Sequence, residues 1–186
     1  MPTKGGMQSL SASITLPGSD LEYYKIAYRH KRYFPLSNSF TLALNGDVGY
    51  GDVYGTTTRL PLWENYFAGG IKTVRGFKDH SLGPRDSSND PVGANVKIVG
   101  NAELFFPAPF KLMEKSIRLG LFFDAGNVFS THSGADFDLG EIRYSTGASA
   151  MWLSPMGALG MSLGLPLNDK PGDDTEIFQF TFGTAF

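Results

Sequence analysis

The sequence predicts an all-β fold, an antiparallel transmembrane β-barrel wound as a meander of eight strands. Three observations carry that prediction. Eight segments alternate apolar and polar residues, and a period of two marks a strand with unlike faces. The segments run to about 10 residues, whereas a soluble strand has ~5–6 and a tilted membrane-spanning strand needs ~9–11. The chain of 186 residues is poor in charge, at 18%, and rich in Phe (15), Tyr (8) and Gly (23). An average soluble domain carries about 25% charged residues.

The elements follow in order. The first segment, 7–16, sets Leu10, Ala12, Ile14 and Leu16 against Ser9, Ser11, Ser13 and Thr15. The second, 21–34, sets Tyr24, Ile26, Tyr28 and Phe34 against Lys25, Arg29 and Lys31. It is the least regular, because His30 and Arg32 fall on its apolar side near one end. In the third, 39–50, Phe40, Leu42, Leu44, Val48 and Tyr50 oppose Thr41, Ala43, Asn45, Asp47 and Gly49. In the fourth, 96–106, Val96, Ile98, Ala102, Leu104 and Phe106 oppose Lys97, Asn101 and Glu103. The fifth, 116–128, puts Ile117, Leu119, Leu121, Phe123 and Ala125 opposite Arg118, Gly120, Phe122, Asp124 and Gly126. The sixth, 141–153, puts Ile142, Tyr144, Ala148, Ala150 and Trp152 opposite Arg143, Ser145 and Ser149. The seventh, 158–165, alternates Leu159, Met161, Leu163 and Leu165 with Gly160, Ser162 and Gly164. The last, 175–186, carries Phe178, Phe180, Phe182 and Phe186 on one face and Gln179, Thr181 and Gly183 on the other.

Polar faces rich in Gly and Ser suit a wet or plugged lumen, and apolar faces ending in aromatics suit an interfacial girdle. A soluble sandwich alternates too; segment length, aromatic excess and scarce charge together favour the barrel. Connections differ in length. The stretches 51–95, 130–140 and 166–174 are long, 35–38 and 154–157 are short, and 107–115 is intermediate. The turn 17–20 is short where a long loop is expected. Outer-membrane barrels place long loops outside and short turns in the periplasm, which sends the C-terminus to the periplasmic face.

Several function classes are excluded. A net charge of -2 gives no global attraction for nucleic acid. The absence of cysteine removes thiolate chemistry and Cys-ligated zinc. His30, His80 and His132 lie on three segments without metal-ligand spacing, and no Gly-x-Ser-x-Gly elbow occurs. The acidic runs at 86–90 and 169–174 lack the spacing of a calcium loop and read as solvated loop tips. The chain is therefore expected to hold no metal, to need no cofactor and not to be an enzyme. Residues 1–6 have no apolar stretch of the kind a signal peptide needs.

The connection 51–95 contains Phe67-Ala68-Gly69-Gly70-Ile71-Lys72-Thr73-Val74-Arg75-Gly76-Phe77, then Leu82-Gly83-Pro84-Arg85. With the Val-Arg-Gly-Phe core and the Gly-Pro that follows it, the chain resembles the BamA-type outer-membrane assembly factors of the bacterial surface antigen family. The resemblance extends both ways. Pro17-Gly18-Ser19-Asp20 before Glu22-Tyr23-Tyr24-Lys25 is similar to the hairpin entering the family's tenth strand. Phe122-Phe123-Asp124-Ala125-Gly126-Asn127-Val128 resembles its thirteenth strand. Trp152-Leu153-Ser154-Pro155-Met156-Gly157 resembles the turn before the fifteenth, and 178–186 the closing strand. Essentially the whole chain is covered, as strands nine to sixteen of a sixteen-stranded barrel.

The motif also has a physical reading. Arg75 stays charged in any protein environment, so a loop folded into the lumen must offer it acceptors. The alternation puts Glu103 and Asp124 on inward faces of the next two strands, where both suit the fork of a guanidinium. In the family the motif arginine meets luminal acids on these strands, and the resemblance carries that pairing to Arg75, Glu103 and Asp124. Gly76 would permit a backbone conformation closed to other residues; Val74 and Phe77 flank it, with Phe77 wedged against the inner wall. The plain alternative is an extracellular, solvated Arg-Gly turn.

Phe178, Phe180, Phe182 and Phe186 resemble the C-terminal signal by which outer-membrane proteins are taken up for assembly. Strand addition would supply backbone bonds while alternate side chains fill pockets. These rings also serve as plain girdle residues in the alternative reading. The resemblance implies a protein that inserts and folds other barrels without ATP, opening a seam between its first and last strands in the outer membrane of a Gram-negative bacterium. Its implied partners are outer-membrane lipid, unfolded barrel clients and the lipoproteins of an assembly complex. This chain would supply the closing strand but neither the first strand nor the periplasmic POTRA domains. It is expected to be inactive alone and to self-associate through open edges unless its eight strands close. A two-partner-type secretion transporter, a small outer-membrane enzyme and a purely structural barrel or adhesin are the competing readings.

Overall fold

The computed structural model describes residues 2–109, 116–132, 137–155 and 157–183. Ten strands follow in order: β1 (Gly5–Ile14), β2 (Tyr23–Pro35), β3 (Thr41–Val53), β4 (Gly76–Phe77), β5 (Val96–Pro107), β6 (Ile117–Phe129), β7 (Arg143–Ser154), β8 (Gly157–Pro166), β9 (Thr175–Glu176) and β10 (Phe178–Phe182). Eight of them form one sheet in the order β1-β2-β3-β5-β6-β7-β8-β10, and β4 pairs with β9 in a second, two-stranded sheet. Every pairing is antiparallel. The meander follows from its punctuation. Pro35 ends β2, and the Ser37 hydroxyl accepts from the amides of Ser39 (3.2 Å) and Phe40 (3.1 Å) to close the tight turn into β3.

The two faces are inverted relative to a soluble protein. Leu10, Ile14, Ile26, Leu44, Val48, Leu121, Phe123, Leu163 and Leu165 are exposed on the convex side. Asp47, Asp124, Arg143, Ser145, Ser162 and Gln179 are buried on the concave side. Directly opposed residues in antiparallel strands share a face, so the register strings inward polar groups into rows. One row runs Lys31, Asn45, Asn101, Asp124, Ser145 across five strands. A sandwich core would need the apolar side covered, and here it is bare.

One feature departs from the sequence expectation and two add to it. The closing strand is not one run over 175–186. Thr175 and Glu176 pair with β4 of the long loop, while Phe178–Phe182 pair with β8; Phe186 lies outside the described residues. The long connection is ordered. It holds a turn of 3-10 helix at Leu62–Glu64 and cross-bridges at Tyr66–Ala94, Ala68–Leu82 and Arg85–Pro91. The concave side is plugged as well as polar. Ala68, Val74, Phe77, Leu82 and Ala94 of the loop pack with Val99 of β5 and Val128 of β6 into a dry cluster. Among the described residues, β1 and β10 remain the two ends of the large sheet, and all ten residues of β1 are exposed. Ahead of β1 the chain turns inward, where the Pro2 carbonyl accepts from Arg118 Nη1 of β6 at 2.8 Å.

Candidate functional site

The loop between β3 and β5 folds back onto the concave wall, and its anchor is Arg75. The Arg75 Nε donates to Asp124 Oδ2 at 2.8 Å and Nη2 to Asp124 Oδ1 at 2.9 Å, a bidentate fork. Nη1 donates to Glu103 Oε1 at 3.0 Å, and the Arg75 amide adds a 3.1 Å bond to Asp124 Oδ2. The guanidinium lies 3.5 Å from the centre of the Phe122 ring, a cation–π contact from a residue that alternation had already put on the inward face. Asp124 is fully buried and Arg75 nearly so. A buried carboxylate is tolerable only when its lone pairs are filled; here Asn101 Nδ2 supplies one more donor to Asp124 Oδ1 at 2.8 Å. Asn101 also donates to the Thr73 carbonyl at 2.6 Å, and Ser149 donates to Glu103.

Two glycines allow the approach. Gly76 has φ of 89°, in the left-handed region, and a Cβ built there would lie 3.1 Å from the backbone of Gly164 in β8. Gly164 has no side chain to keep the loop away, so Val74 and Phe77 reach full burial on either side of the motif. Beyond Gly76 the loop grips the closing strand. Gly76 pairs with Glu176 and Phe77 with Thr175. Gln179 Nε2 donates to the Phe77 carbonyl at 2.7 Å. The Lys78 amide donates to the Asp174 carbonyl at 2.9 Å, and Arg85 Nη2 to Asp174 Oδ2 at 3.1 Å.

A second cluster fastens the root of the loop. Asp47 accepts from Arg29 Nη2 at 2.7 Å and Lys97 Nζ at 2.9 Å. Lys25 Nζ and Lys97 Nζ sit 4.7 and 5.4 Å from the Tyr66 ring centre. At the loop end, Arg143 bridges to Asp173 (2.6 Å) and Glu141 (3.1 Å), and Lys170 to Glu141 (2.6 Å). Hydrogen bonds from Lys170 and then Arg143 hold the Glu141 carboxyl below its usual range. The amides of Gly18 and Thr56 do the same to Glu22, which ties the 17–20 turn to the start of the long loop.

The structure thus brings Arg75, Glu103 and Asp124 into contact and buries Val74 and Phe77, while Phe178, Phe180 and Phe182 point outward and more than half exposed, away from the loop. Phe122, Asn101, Gly164 and Gln179 complete the contacts and were not singled out in the sequence. Their common signal is an inward position in the alternation, but only the docked loop distinguishes them from other inward residues. His30, His80 and His132 stay apart: His132 pairs with Asp52 at 2.9 Å and His80 with the Phe67 ring at 5.1 Å.

The Omp85 superfamily domain model matches residues 1–186. The chain is 37% identical to the outer membrane protein assembly factor BamA of Neisseria meningitidis over 213 residues, covering 100% of this chain and 26% of that protein. Against BamA of Nitratidesulfovibrio vulgaris the identity is 30%, covering 91% of this chain and 21% of that protein. A SAM50-like protein of Schizosaccharomyces pombe is 25% identical, covering 100% of this chain and 41% of its own. Among solved structures, BamA from Haemophilus ducreyi lacking POTRA domains 1-3 superposes with a TM-score of 0.88 at 32% identity, covering 96% of this chain and 38% of that one. The chain spans about a quarter of the length of the two BamA relatives.

Proposed function

The chain belongs to the Omp85 superfamily, and from that premise we propose that it is the C-terminal half of the barrel of an outer-membrane assembly factor. The parent protein inserts and folds β-barrel clients in the outer membrane of a Gram-negative bacterium, without catalysing a covalent reaction. The work is done by strand exchange. Backbone groups at an open sheet edge pair with an incoming client strand, and the edge closes again when the client leaves. The observation that carries the reading is the motif loop, which the Arg75 fork anchors to β5 and β6 and which also pairs with β9. One element therefore touches both the fixed wall and the strand at the seam.

In this reading Arg75, Glu103 and Asp124 keep the loop seated, Val74 and Phe77 seal it, and Gly76 lets it lie flat against β8. Phe178, Phe180, Phe182 and Phe186 form the outward edge of the closing strand, read both by lipid and by the assembly machinery. The partners are unfolded barrel clients and the lipoproteins of an assembly complex.

The test is Arg75→Ala in the full-length protein. The substitution strands two carboxylates, one of them fully buried, and breaking such a pair costs about 3–5 kcal/mol. The expected outcome is loss of heat-modifiable gel mobility together with loss of client assembly. Arg75→Lys, which keeps the charge without the planar fork, should recover part of both. Wild-type behaviour of Arg75→Ala in both assays refutes the seating role.

A further inference from the structure

The lipid-facing side of the sheet carries two polar residues that the function above leaves unused. His30 and Arg32 stand on the outward face of β2, in the alternation of Tyr28 and Phe34. Directly opposed are Gln8 and Gly6 of β1, and Gly46 and Leu44 of β3. No acidic side chain sits among these neighbours. Arg32 is exposed and lies over the Phe34 ring at 5.1 Å. Tyr28 Oη lies 3.2 Å from His30 Nδ1. Lys4, Gln8, His30, Arg32 and Phe34 line one depression of about 530 Å³. Because β2 is flanked on both sides, the outward direction of Arg32 does not depend on what pairs with β1.

Two further observations say what such a depression holds. The first is charge. The depression is lined by Lys4, His30 and Arg32 and, among the described residues, by no acid. The second is shape. The row beside His30 continues through Gly46, Gly100 and Ala125, and a Cβ built at Gly46 or Gly100 would meet nothing within 4 Å. A cationic rim thus opens onto a shallow apolar trough. A charged residue on the lipid face is costly at mid-depth and nearly free near the interface, so Arg32 is stable where it meets headgroups, its stem lying along apolar surface.

We propose that Arg32, His30 and Lys4 form a binding site for the phosphate of an anionic phospholipid in the leaflet at the turn end. The guanidinium takes two phosphate oxygens in fork geometry, His30 Nε2 and Lys4 Nζ address the others, and an acyl chain follows the trough over Gly46 and Gly100. The site rests on the outer-membrane reading but not on the assembly activity.

The test uses the full-length protein in a cysteine-free background with Gly46→Cys carrying a fluorophore, in bilayers doped with chain-brominated phosphatidylglycerol or phosphatidylcholine. Each Lys or Arg near an anionic lipid contributes about 1 kcal/mol, so with Arg32 and Lys4 phosphatidylglycerol should quench at a roughly thirty-fold lower mole fraction than phosphatidylcholine. The triple variant K4Q/H30Q/R32Q should bring the two lipids together, and Arg59→Gln, an exposed cation at the loop end, should leave the preference intact. Equal quenching in the parent, or a preference that survives K4Q/H30Q/R32Q, overturns the site. Release of the lipid by inorganic phosphate would make it a free-anion site and overturn it equally. Failure to enter bilayers refutes the membrane reading and the site with it, whereas insertion without selectivity refutes the site alone.

Discussion

Arg75 is held by two acids, an aromatic face and its own amide, and each contact excludes water from the next. That is why a charge can sit in an almost closed site: the donors and acceptors balance, and Asn101 fills the remaining lone pair of Asp124. Gly164 tolerates no side chain. Its missing Cβ is what admits the backbone of Gly76, because a methyl there would press on the Gly76 amide. Overpacking of this kind costs about 1–3 kcal/mol. Gly164→Ala should therefore lift the motif from the wall without touching any charge. Limited trypsin digestion checks this: cleavage at Lys72 and Lys78 should quicken in the variant, and unchanged cleavage rates contradict the close-approach account.

At the scale of elements, the closing strand is divided between two partners. Its first two residues belong to the loop, and Phe178–Phe182 belong to β8, a ladder of five pairs where the β2–β3 ladder has thirteen. Gln179 couples the halves, since its side chain reaches inward from β10 to the Phe77 carbonyl. A hydrogen bond of this kind contributes about 1 kcal/mol net, so Gln179→Ala should raise amide exchange at Phe178–Phe182 by about five-fold and leave β5 and β6 unchanged. Exchange that rises equally in all three strands would mean that Gln179 supports the sheet in general and not the seam. The alternation reveals none of this division, because pairing with a loop strand and pairing with a neighbour leave the same period of two.

For the whole molecule, an apolar convex face and a β1 edge with no strand partner among the described residues set the behaviour of the isolated chain. Unpaired N–H and C=O groups cannot be left in hydrocarbon, so the chain alone should self-associate edge to edge in detergent. Sedimentation should give dimers or larger species, and liposomes containing the chain should fold an unfolded barrel client no faster than empty ones. A monodisperse monomer in detergent, or faster client folding, contradicts this expectation. The eight long strands, their faces and the inward acids were legible in the residues, because side-chain direction in a strand is fixed by parity alone and the contrast between faces survives any tertiary arrangement. The motif named a loop whose arginine needs acceptors, and parity supplied Glu103 and Asp124. Phe122, Gly164 and Gln179 were legible only as inward positions. What tertiary structure alone decided was where the loop lies, that it excludes water over Val99 and Val128, and that it takes the first residues of the closing strand. Those outcomes depend on contacts between segments distant along the chain, whose free energy comes from the joint burial of both partners and is written in neither one by itself.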